Sequence, residues 1–104
     1  MHARHVAYAL KPNRRADFVK AFENDIVPLL QRQNGFADLI TFFSPDGKSC
    51  IAISLWERKE NAEAFGREVF PKALTSLTGL FEGTPEVRNY EVAVSTFPKI
   101  ATAH

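Results

Sequence analysis

The sequence predicts an α+β domain with its elements in the order β-α-β-β-α-β. Three observations carry this. Four short runs of β-branched and aromatic residues alternate with two longer stretches of apolar residues at helical spacing. The chain has 104 residues, the size of one domain. Finally, one strong turn signal, Ser44-Pro45-Asp46-Gly47, falls between the second and third strand patterns.

The first strand is read over His5–Leu10 and stops at Lys11-Pro12. Pro12 or Asn13 then opens a helix, since proline's missing N–H costs nothing in a first turn. Phe18, Phe22, Ile26, Leu29 and Leu30 recur at helical spacing and define its buried face. Pro28 should kink that helix or weaken its last turns, and Asn34-Gly35 should end it. The second strand runs over Phe36–Phe43, and the third, Ser49–Trp56, folds back on it as a hairpin. A second helix is expected from Lys59 to Phe70, with Ala62, Phe65 and Val69 inward. Pro71 breaks it, and a short continuation runs to Leu80. Gly83-Thr84-Pro85 reads as a loop, and Val87–Phe97 as the fourth strand. Residues 3–98 form one domain on this reading, and 99–104 a flexible tail.

This order is the split βαβ arrangement of ferredoxin-like folds: a four-stranded antiparallel sheet with helices on one face. A sheet face left to water should turn polar. Neither face does. Ile51, Ile53 and Leu55 oppose Cys50, Ala52, Ser54 and Trp56, and Ile40 and Phe42 oppose Leu39 and Phe43. Two helices cover one face only, so a second copy stacked sheet on sheet is expected, giving a homodimer.

Composition excludes several function classes. A net charge of +1, with basic residues interleaved among acidic ones, does not suit a nucleic-acid binder. No apolar run approaches the ~20 residues of a membrane span, so no membrane partner is expected. A single cysteine, Cys50, forms no internal disulfide and reads as a buried, inert thiol. Without the apolar core of a signal peptide after Met1, a cytoplasmic location is expected. No His/Cys/carboxylate cluster has metal-ligand spacing, and there is no glycine-rich phosphate loop or nucleophile elbow. The nine phenylalanines build a core or line an apolar cavity.

Several runs, in this order, resemble the antibiotic-biosynthesis-monooxygenase-like family of the dimeric α+β barrel superfamily. They are Val27-Pro28-Leu29-Leu30, Asn34-Gly35-Phe36, Leu55-Trp56-Glu57, Ala62-Glu63-Ala64-Phe65, Glu68-Val69-Phe70 and Tyr90-Glu91-Val92. The resemblance spans Val6 to Phe97. It implies a dimeric α+β barrel with an internal cavity in each subunit, and a monooxygenase that acts on a small aromatic molecule without cofactor.

Within this group, haem-degrading enzymes use an Asn, a Trp and a His at positions matched here by Val6, Ala64 or Phe65, and Leu74, so haem degradation is disfavoured. The actinorhodin-type enzyme has an Asn before its strand-three Trp and a Tyr after it. Trp56 fits that pattern, whereas Ala52 and Ala62 stand at the flanking positions.

The candidate catalytic residues are therefore Tyr8 and His5, the one as a phenol able to exchange a proton, the other as a base near neutral pH. Trp56, Phe65 and Phe22 are the candidate substrate contacts, with Trp56 offering a face for stacking or, alternatively, closing the core. The expected function is a monooxygenase of a planar aromatic or quinol-like compound. The alternative is a non-catalytic dimer that binds a small molecule or another protein.

Overall fold

The computed structural model describes residues 1–97. Its elements are β1 (His2–Leu10), α1 (Arg15–Ala21), a π-helical turn (Phe22–Ile26), α2 (Val27–Gln31), β2 (Phe36–Phe43), β3 (Ser49–Trp56), α3 (Lys59–Glu68), α4 (Phe70–Ala73), a 3-10 turn (Leu74–Leu77) and β4 (Phe81–Glu91). The strands form one antiparallel sheet in the order β2-β3-β1-β4. This is the expected ferredoxin-like α+β arrangement.

Register decides which residues face the helices. Tyr8 pairs with Cys50, Val6 with Ala52, Arg4 with Ser54, and His2 with Trp56. All eight residues are buried beneath the helices. The odd positions of β1 share the opposite face with Ile51, Ile53 and Leu55. The helices complete the core with Phe18, Phe22, Ile26, Leu30, Ala62, Phe65, Ala73 and Leu77. Phe18 is at the centre, edge-on to Tyr8 at 5.2 Å and stacked on Phe22 at 5.6 Å.

Four boundaries differ from expectation, each for a local reason. β1 begins at His2, because His2–Arg4 continue the pairing with both neighbouring strands; the Met1 carbonyl also accepts from the Val92 N–H. Asn13 sits at φ 61°, a left-handed conformation that belongs to a loop, so the first helix starts only at Arg15. Pro28 falls in the first turn of α2, the preceding turn is widened, and the Val27 N–H reaches back to the Phe22 carbonyl.

The fourth strand starts at Phe81 and ends at Glu91, so Gly83-Thr84-Pro85 lie inside it rather than in a loop. The ladder to β1 skips a register between Ala7 and Ala9, and this bulge on an edge strand accommodates both the glycine at φ 67° and the proline. Residues 92–97 lie outside any strand. The expected tail, 99–104, lies outside the described residues.

The outer sheet face is apolar over β2 and β3, where Phe42 is 48% exposed and Ile40 is also exposed, whereas β4 places Glu86, Arg88 and Tyr90 on it. Among the described residues no helix is long and apolar enough to cross a membrane.

Candidate functional site

A pocket lies between the helix-facing side of β1 and β3 and the inner faces of the helices. β1 contributes Arg4, Val6 and Tyr8; β3 contributes Ala52 and Ser54; Leu39 comes from β2. Phe22, Ile26 and Leu30 close it from the first helical segment, and Phe65 and Phe70 from the second. Small residues on β3 leave the space, as their pattern suggests. The free volume is about 20 Å³, room for about one water molecule. A second hollow of about 120 Å³ lies beside it, lined by Phe18, Val19, Glu23, Val27, Thr41 and Cys50, and shares Phe22 and Leu39 with the first. Those two side chains therefore form the partition between the hollows.

The expected site residues divide. Tyr8, Phe22 and Phe65 line the pocket. Trp56 does not: it is 0% exposed, its indole N–H donates to Ser54 Oγ at 2.9 Å, and Phe36 and Phe65 pack on it at 5.6 Å and 5.3 Å. With its ring and its polar atom both engaged, Trp56 closes the core. His5 is on the other side of the sheet from Tyr8, flanked by Ile53 and Arg88 and edge-on to Tyr90 at 6.0 Å. Its Nδ1 is buried without a hydrogen-bond partner. The two candidate proton carriers thus do not share a cavity.

Burial sets the chemistry of Tyr8. Loss of water pushes its phenol above the usual range, an effect only partly countered by the nearby positive charge of Arg4. Tyr8 is accordingly a hydrogen-bond donor rather than a ready proton acceptor. Cys50 behaves similarly, with burial raising its thiol to about 11, so it is not a nucleophile near neutral pH.

Arg4 is the residue that the sequence reading passed over. It lies on the inward face of β1 and is 5% exposed. Its guanidinium stands over the Phe70 ring at 4.2 Å and near Phe65 at 5.4 Å. Desolvation lowers its pKa, and Tyr8 partly restores it. The signal was available in parity, because Arg4 shares the even register with Val6, Tyr8 and Leu10. It was hidden by starting the strand at His5, three residues late, which left Arg4 outside it. Among the described residues no group of three or more His, Cys, Asp or Glu is placed to hold a metal ion.

No family model matches the sequence, and no curated protein matches it. Solved structures do. An antibiotic biosynthesis monooxygenase by name, from Bordetella bronchiseptica, superposes with a TM-score of 0.74 at 18% identity, covering 89% of this chain and 98% of that one. SnoaB, a cofactor-independent oxygenase from Streptomyces nogalater, gives 0.69 at 20% identity, with 91% and 96% covered. The monooxygenase ActVA-Orf6 of Streptomyces coelicolor, in complex with nanaomycin D, gives 0.73 at 20% identity, with 93% and 91% covered. The expected resemblance therefore holds at the level of architecture: over nearly its whole length, the chain has the fold of the antibiotic biosynthesis monooxygenase structures.

Proposed function

We propose that the chain is a cofactor-independent monooxygenase of a small planar aromatic or quinol-like compound, bound between the helices and the sheet. The observation that carries this reading is the pocket: a buried phenol, Tyr8, and a cation, Arg4, converge on a space otherwise walled by aliphatic and aromatic side chains. That ActVA-Orf6, of the same fold, was solved with nanaomycin D supports an aromatic ligand.

In such a reaction the substrate is its own reductant. An acidic CH₂ beside a carbonyl and an aryl ring loses a proton, and the carbanion transfers its electrons to oxygen and forms a C–O bond. The resulting hydroperoxide expels water and leaves a new carbonyl. The protein supplies orientation, exclusion of water, and charges placed for the anion. Arg4 stabilises the substrate anion, and Tyr8 donates a hydrogen bond to the developing peroxide. No role in this step falls to His5, which faces away.

A second copy covers the outer sheet face in this proposal. Ile40, Phe42, Ile51 and Ile53 form its apolar centre, and the unpartnered His5 lies beside them. The small free volume favours one further reading, a non-catalytic binding dimer, because a ring system enters only if Phe22 and its neighbours move outward.

Oxygen uptake separates the two. With anthrones and quinols, consumption above the buffer rate is expected, falling about 10²-fold in Tyr8→Phe, as loss of a positioned proton donor does. Uptake no faster than buffer across both compound classes would refute the oxygenase and leave the binder.

A further inference from the structure

Arg4 is held in place by the fold without an ion-pair partner among the described residues. The ion pairs among the described residues are all between exposed side chains, and none involves Arg4. Its buried guanidinium instead rests on the rings of Phe65 and Phe70. Opposite it, α3 carries Gly66, where a Cβ would come within 3.2 Å of Arg4 Nε and 3.3 Å of a terminal nitrogen. A glycine inside a helix costs about 1 kcal/mol relative to alanine. Its presence here is explained by the guanidinium that fills the space. Rings and glycine fix the position of the charge, no hydrogen bond or ion pair among the described residues engages it, and its nitrogens stay open to the pocket that Arg4 lines, while arginine keeps its proton near neutral pH.

We infer that Arg4 is an anion anchor, and that the pocket takes a planar aromatic ligand bearing an acidic oxygen, either a carboxylate or an ionised enol or phenol. The oxygen sits on the guanidinium edge near Ser54, and the ring extends along Val6 and Ala52 toward Phe22. The inference rests on the proposed function for calling that ligand a substrate; the binding preference itself requires no turnover. In the oxygenase reading the anchor also explains how the substrate is ionised without a strong protein base. The cation holds the conjugate anion, and the proton passes to water.

The test is calorimetric binding to the full chain of two probe pairs. One is 2-hydroxy-1,4-naphthoquinone, an anion at neutral pH, against its neutral 2-methoxy ether. The other is 2-naphthoate against 2-naphthamide. Wild-type protein is expected to favour the anion at least tenfold in one pair, which also identifies the acidic group. Arg4→Met abolishes that preference while the neutral partner binds unchanged. Gly66→Ala, which displaces the guanidinium and keeps its charge, weakens the preference too and serves if Arg4→Met fails to fold. Equal binding within both pairs, no binding of any probe, or a preference that survives Arg4→Met and Gly66→Ala would overturn the anchor. Failure of oxygen uptake with the anion preference intact would count against the oxygenase alone.

Discussion

Arg4→Met should make the protein more stable. Arg4 is 5% exposed and pairs with no carboxylate among the described residues, so it keeps part of its desolvation penalty, and replacing buried ionic groups with apolar side chains of similar size is commonly neutral or gains about 1–4 kcal/mol. Against this, Arg4 loses two ring contacts, at 4.2 Å and 5.4 Å, the nearer in the range where a partly desolvated cation–π pair returns about 1–2 kcal/mol. Methionine recovers part of that through sulfur–ring contact with the same Phe70. The expected balance is a gain of about 1–2 kcal/mol, or about 4–16 °C in Tm at this chain length. Urea unfolding at one fixed protein concentration measures it, because the proposed dimer would make stability depend on concentration. A loss of 1 kcal/mol or more would refute the reasoning, showing that the guanidinium is satisfied in the folded protein. A gain would mean that the fold maintains Arg4 at a cost to itself.

Further outcomes follow from other parts of the structure. Cys50 has its thiol raised from 9.0 to about 11 by burial, so the folded state holds this proton more tightly than the unfolded chain. Its contribution is complete below pH 9 and falls away between pH 9 and 11, by up to about 2–3 kcal/mol. Tyr8, raised in the same sense, extends the decline to higher pH. Unfolding measured from pH 8 to 11 should show the slope, and Cys50→Ala should flatten its first part. Ser54→Ala strands the Trp56 indole N–H in the core, with an expected loss of about 1–3 kcal/mol by urea unfolding and a changed emission from the only tryptophan. Phe42→Lys places a charge on the apolar outer face. Sedimentation should show a dimer for the wild type and a monomer for this variant, and a wild-type monomer at micromolar concentration would refute sheet-on-sheet pairing.

Most of the architecture was legible because apolar period and turn chemistry agree with one another. The hairpin around Asp46-Gly47 and the inward parity of Cys50, Ala52, Ser54 and Trp56 are where local pattern and tertiary burial coincide. What escaped was set by partners distant in sequence. Gly83-Thr84-Pro85 looks like a loop until β1 is beside it, since a bulge is a property of the pair. Trp56 has one environment under either reading of its strand, and only the positions of Phe36, Phe65 and Ser54 show that its ring and its N–H are both engaged. Tyr8 and His5 are three residues apart in sequence, and an odd separation in a strand sends them to opposite faces. That fact was readable. So was the inward parity of Arg4 once the strand is extended to His2; the α3 glycine that makes room for it was not.

The widened turn at Phe22–Ile26 has a kinetic consequence. It forms the wall of the pocket through Phe22 and Ile26, and it runs directly into Pro28, which contributes no amide hydrogen bond. This wall is bonded less regularly than α3 across the pocket, while the sheet beneath it is paired along its length. Local opening should therefore concentrate there, with amides around 24–30 exchanging with solvent well before those of β1 and β3. Were Phe22 to swing with that segment, the two hollows it lines would join. Access to the buried cation would then follow the breathing of one helical turn rather than unfolding of the domain.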